Sequence, residues 1–133
     1  MDHYEEVKIV SPMDCGNSPK MQFLKELNVA FAKKDIAFIA EHFSEDVHWH
    51  IVNDINIQGK EKVISYLENK MTSNIVEMEL LSIISHGNKG AANGIIKTDN
   101  KVTYSFCNMY NFVSAGKKTI KGITSYVIKM NQS

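Results

Sequence analysis

Apolar residues recur along this chain with two different periods, and the change from one to the other falls near residue 75. In the first half Phe23, Leu24, Leu27, Ala30 and Phe31 return at the three- and four-residue spacing of one helix face. Ser18-Pro19 marks the start of that helix. The serine oxygen can accept from a free first-turn amide, and the proline has its φ already set for helix. Lys33-Lys34 suits a helix C-terminus, and Asp35 caps a short second helix carrying Ile36, Ile39, Ala40 and Phe43. Residues 47–52 are dense in β-branched and aromatic side chains and predict a strand. Asn53-Asp54 turns the chain, and Ile55-Asn56-Ile57 returns it. A third helix is predicted over 60–71, with Val63, Ile64, Leu67 and Met71 as its buried stripe and Thr72-Ser73-Asn74 as its breaker.

Beyond residue 75 the pattern is extended. Strands are predicted over 77–85, 91–97, 102–113 and 119–130, separated by turn-forming runs at 86–90, 99–100 and 114–117. Loops this short join antiparallel neighbours. Helices followed by such a meander predict an α+β fold with the helices packed on one face of the sheet. Residues 1–18 read as an N-terminal arm, with a short strand over 7–10 and turn chemistry at Ser11-Pro12 and Cys15-Gly16-Asn17; residues 19–133 read as one domain. Within the first long strand, Leu80-Leu81-Ser82-Ile83-Ile84 is apolar on both faces, whereas a half-exposed strand alternates. A second copy of the chain is the simplest cover, so a homodimer through the sheet face is expected.

Composition narrows the function. Fifteen acidic residues balance fifteen basic ones, without clustering, which argues against a nucleic-acid partner. No apolar run approaches the ~20 residues of a membrane span. The start Met1-Asp2-His3-Tyr4-Glu5-Glu6 lacks the basic and apolar regions of a secretory leader, so a cytoplasmic location is expected. The two cysteines, Cys15 and Cys107, lie far apart and read as free thiols. Phosphate-loop, nucleophile-elbow and paired-cysteine motifs are absent, so neither a cofactor nor a metal is expected.

Four phrases carry a family resemblance. They are Lys34-Asp35, the run Phe43-Ser44-Glu45-Asp46-Val47-His48-Trp49, then Ile57-Gln58-Gly59-Lys60-Glu61, and finally Ser114-Ala115-Gly116-Lys117 followed by Ile120, Ile123 and Tyr126. In this order and spacing, over roughly residues 20–130, the chain resembles the nuclear transport factor 2-like superfamily. Within it the chain is most similar to the SnoaL-like and ketosteroid-isomerase-like branch. The resemblance implies a cone-shaped, antiparallel (mixed) sheet wrapped around three N-terminal helices, with a central pocket. Members include isomerases, cyclases, hydrolases, dehydratases and binding or interaction modules, and the fold does not choose among them.

The isomerase mechanism needs a carboxylate base and two donors at a developing oxyanion, one of them a neutral carboxylic acid. Carried over by spacing, the base position falls on Ile51, the tyrosine donor on Leu27 and the neutral acid on Asn108. A one-residue slip would put His50 in the base position. With Ile51 facing inward, strand alternation turns Trp49 and Val47 inward and His48 and His50 outward; Tyr104, Phe106 and Tyr110 follow Asn108. A pocket lined by Leu27, Phe31, Trp49, Ile51, Phe106, Asn108 and Tyr110 is expected, suited to a small hydrophobic molecule; the bland alternative is that these residues simply fill the core. Asp54 is placed at the mouth or in plain turn duty. Glu41, His42, His48 and His50 read as surface groups rather than a metal site. Three functions remain open: a hydrophobic-ligand binder, an isomerase, cyclase or dehydratase with His50, Asp54 and Asn108 as candidate catalytic residues, and a protein-interaction module using the sheet face.

Overall fold

Seven strands form one curved, unclosed sheet in the order β1-β4-β5-β6-β7-β2-β3. The computed structural model describes residues 7–11, 18–69 and 74–130. In chain order the elements are β1 (Lys8–Val10), α1 (Pro19–Lys33), α2 (Ile36–His42), β2 (Phe43–Ile51), β3 (Ile55–Gln58) and α3 (Lys60–Asn69). Four long strands follow: β4 (Ile75–His86), β5 (Lys89–Thr98), β6 (Thr103–Phe112) and β7 (Ile120–Lys129). The expected arm turns at Pro12 and at Cys15-Gly16-Asn17, the Cys15 thiol, the end of the third helix at Met71 and its breaker at Thr72-Ser73 lie outside the described residues.

Local chemistry explains the helix boundaries. The Ser18 hydroxyl accepts from the Met21 amide at 3.1 Å, and Pro19 follows at the first turn. Lys34 ends α1 in the left-handed conformation, φ 56°, and its amide donates back to the Ala30 and Phe31 carbonyls. The Asp35 carboxylate then accepts from the Phe38 amide at 3.2 Å and starts α2. Phe43 departs from expectation. It is extended, at φ −103° and ψ 139°, and opens β2 rather than closing the helix. The reason is packing: extension drops its ring into the core, 2% exposed, where it meets Phe31 at 6.3 Å and pairs with Ile120 of β7.

The β4–β7 meander is antiparallel, as short loops require. The joins on either side of the meander are parallel, β2 beside β7 and β1 beside β4, and β3 pairs antiparallel with β2 at the far edge. Register fixes the faces. Tyr104, Phe106, Asn108 and Tyr110 alternate inward on β6 opposite Val127, Ser125 and Ile123 of β7, while Val47 and Trp49 face in and His48 faces out on β2. In β4 the pairing steps from Leu80↔Gly94 to Ser82↔Asn93, so the strand bulges at Leu81. That extra residue lets Leu80 and Ile83 both reach the core and leaves Leu81 and Ile84 outside, 45% and 64% exposed.

At one end of the sheet Lys20 ties α1 to two turns. Its ammonium donates to the carbonyls of Gly87 (3.0 Å), Ser114 (3.2 Å) and Ala115 (2.6 Å), and sits 4.2 Å above the Phe112 ring. Partial burial holds its pKa below the ordinary lysine value. The variant Lys20→Met keeps the apolar stem and removes the donor. It should lose about 1–2 kcal/mol in urea denaturation, since each charge-assisted bond contributes modestly once water is accounted for. Stability equal to wild type would show that the three carbonyls are served as well by solvent.

Candidate functional site

The opposite end of the sheet encloses a cavity of about 350 Å³ between the sheet, α1 and α3. Phe31, Trp49, Ile51, Phe106, Asn108 and Tyr110 all line it, together with Asn28, Tyr66, Ser125 and, at the rim, Asp54. Leu27 does not. It is fully buried in the core, and the next residue along α1, Asn28, faces the cavity instead. The difference is one step of about 100° around the helix, which apolar spacing alone does not resolve. His50 is likewise absent from the lining, as strand alternation requires when Ile51 faces in. Ile51, on which the base position falls by spacing, faces the cavity.

Two rings join Trp49 along one wall. Phe31 stands 5.6 Å from the indole at 59°, and Tyr66 of α3 meets it edge-on at 5.6 Å and 90°. Tyr66 was not singled out by its sequence. Its place three residues after the buried Val63 is the signal that could have found it. Burial raises the Tyr66 pKa above the ordinary tyrosine value, and the negative charge of Asp54 raises it further.

A continuous chain of hydrogen bonds runs across the cavity. The Trp49 indole N–H donates to Ser125 Oγ at 2.9 Å, and the Ser125 hydroxyl donates to Asn108 Oδ1 at 2.6 Å. Asn108 Nδ2 donates to Asn28 Oδ1 at 3.4 Å. Asn28 Nδ2 spends one proton on the Leu24 carbonyl at 2.7 Å and the other on Tyr110 Oη at 3.0 Å. Proton counting gives the outcome. Both amide protons of Asn28 are used, and the Tyr110 oxygen is already an acceptor. The phenol also has a side-chain hydrogen bond with Asn108, so the Tyr110 hydroxyl is held between Asn28 and Asn108. Burial pushes the Tyr110 pKa well above the ordinary value, against a smaller lowering by Asn28 and Asn108, so the phenol stays protonated at any physiological pH.

Ser125 is the other residue that sequence reasoning missed. It occupies the polar place in the inward row Ile123, Ser125, Val127, and a lone hydroxyl in an apolar row is a readable mark of a polar partner. Glu41, His48 and His50 lie away from the cavity. The His48 ring contacts the Asn56 side-chain oxygen, and His42 Nδ1 lies 2.9 Å from the Phe38 carbonyl. Among the described residues no three His, Cys, Asp or Glu side chains cluster as a metal site would. No described helix is long and apolar enough to cross a membrane.

The sequence matches the SnoaL-like domain family over residues 24–119. No curated protein matches it. Among solved structures, a provisionally assigned ketosteroid isomerase from Kribbella flavida superposes with a TM-score of 0.72 at 9% identity, over 86% of this chain and 81% of that one. A provisionally assigned SnoaL-like polyketide cyclase from Shewanella denitrificans gives 0.69 at 11% identity, over 83% and 91%. A nuclear transport factor 2-like protein of unknown function from Cytophaga hutchinsonii gives 0.62 at 21% identity, over 80% and 97%. Identities this low establish a shared fold and no more.

Proposed function

The chain belongs to the SnoaL-like domain family, and we propose that its cavity binds a small hydrophobic molecule. The observation that carries this reading is a cavity of about 350 Å³ lined mostly by apolar and aromatic side chains, whose few polar groups, Asn28, Asn108, Tyr110 and Ser125, hydrogen-bond to one another. An apolar body satisfies such a wall without stranding a polar group.

The test uses Trp49, which is the chain's only tryptophan and part of the cavity wall. Titration with sterols, quinones and aromatic polyketides should change its fluorescence saturably. A flat response to the whole panel would overturn the proposal.

A second reading is favoured by Asp54, the carboxylate at the rim. With Tyr110 polarising a carbonyl and Asp54 taking a proton, the cavity would act on a polyketide- or steroid-like carbonyl compound as an isomerase, cyclase or dehydratase. Solvent-exchange of an α-proton that is lost in Asp54→Asn would select it over simple binding.

We further propose a homodimer through the outer sheet face. That face carries Leu81, Ile84 and, on β7, Ile128 at 65% exposure, more apolar surface than a monomer usually leaves to water. Asn93 points to the same side, and its buried side-chain oxygen has no partner among the described residues. Sedimentation at micromolar concentration should show a dimer, and Ile84→Glu should split it; a monomer throughout would overturn the proposal.

A further inference from the structure

The electrostatics of the cavity are one-sided. Among the described residues its lining includes a carboxylate, Asp54, and no lysine, arginine or histidine. Asp54 forms no ion pair among the described residues. The turn fixes it in place: Asn53 adopts φ 65°, and the Asp54 amide donates to the Ile51 carbonyl at 3.0 Å. Beside it stands the aromatic wall. Phe31, Trp49 and Tyr66 meet at 59° and 90°, so the rings make a concave corner rather than a flat stack. The Trp49 N–H is committed to Ser125, which locks the indole orientation. Ring faces carry negative quadrupole potential, and a carboxylate beside them adds a full charge of the same sign. The effect of Asp54 on its surroundings is already visible at Tyr66, where it works against ionisation.

We propose that the rim of the cavity, formed by Asp54 and the Phe31–Trp49–Tyr66 corner, is an ammonium subsite, so that the preferred ligand is a hydrophobic amine, protonated or quaternary. This rests on the cavity being a ligand site. It specifies the head group: the apolar body lies inward toward Phe106 and Tyr110, and the cation sits at the rim against the rings and the carboxylate. Anionic ligands such as fatty acids are disfavoured by the Asp54 charge, with no cation among the described lining residues to neutralise them.

The experiment titrates Trp49 fluorescence at low ionic strength with octyltrimethylammonium, octanol and octanoate, which share one apolar body. The expected order is the ammonium first, at least tenfold tighter than octanol, and octanoate last. Asp54→Asn should shrink the ratio of ammonium to octanol affinity by at least fivefold, and Asp54→Glu should restore most of it. Tyr66→Leu should shrink the same ratio by removing a ring face. Octanol binding as tightly as the ammonium, or a ratio unmoved by Asp54→Asn, overturns the ammonium subsite while leaving the cavity a ligand site. Absence of binding by all three overturns both.

Discussion

Replacing Gly94 by alanine should destabilise the protein by about 3 kcal/mol, enough to lower its melting temperature by roughly 10 °C in a domain of this size. A β-carbon built on Gly94 would lie 2.1 Å from the Glu79 carbonyl oxygen and 3.1 Å from the Phe106 ring. The first contact decides the outcome, because it is with backbone. A flexible side chain can swing aside, as the end of Leu24 can near Gly90, but the Glu79 carbonyl belongs to the β4–β5 ladder. The close approach has a cause in the sequence of β4. The bulge at Leu81 bends that strand at its pairing with Gly94, and only a residue without a side chain allows the two backbones to stay together there. Gly116 serves as control. Nothing lies within 4 Å of its added β-carbon, so Gly116→Ala should change stability by no more than about 0.5 kcal/mol. Equal stability for both variants in thermal and urea denaturation would show that the sheet relaxes around position 94. Because Phe106 forms part of the cavity wall, Gly94→Ala should also weaken ligand binding more than its loss of stability alone explains.

The same bulge shows where the sequence could be read and where it could not. Apolar residues on both faces of 80–84 were visible, and they correctly signalled an apolar outer surface. What period-two counting missed is that an inserted residue sends Leu80 and Ile83 to the same side. The meander was legible because its turns carried their own local chemistry: Gly87, for example, sits at φ 61° in the turn read over 86–90. The parallel joins of β2 to β7 and β1 to β4 have no such local signal, since nothing in a turn specifies a partner many residues away. The cavity residues divide along the same line. Those on strands, Trp49, Ile51, Phe106, Asn108 and Tyr110, followed from alternation, which fixes a side absolutely. Those on helices depended on an angle, and Leu27 was placed where Asn28 stands, while Tyr66 was missed. The polar chain itself was invisible, because it links residues as far apart as Asn28 and Ser125, and only the fold brings them together.

Asn108 is the middle of that chain, and Asn108→Leu should cost about 2–4 kcal/mol despite keeping the branched shape and adding apolar surface. The loss comes from what is stranded. The Ser125 hydroxyl loses its acceptor and Asn28 Oδ1 loses its donor, each a group away from bulk water and each costing about 1–3 kcal/mol when unpaired. Ligand affinity should fall at least tenfold, because the Tyr110 phenol loses its contact with Asn108 and an unsupported Asn28 no longer holds it in place. Asn108→Asp separates chemistry from shape. A neutral carboxyl reproduces both bonds, with its O–H donating to Asn28 and its carbonyl accepting from Ser125; a carboxylate reproduces only one. Burial away from any cation raises the folded-state pKa of such a group above the unfolded value of about 3.9. Stability relative to wild type is then fully present below that unfolded value and is lost progressively as pH rises through the folded-state pKa. Asn108→Asp should therefore approach wild type near pH 4 and resemble Asn108→Leu at pH 8, while Asn108→Leu keeps a constant deficit across the range. A leucine variant as stable as wild type, or an aspartate variant whose deficit ignores pH, would show that the chain from Trp49 to Tyr110 is not what holds the cavity floor in place.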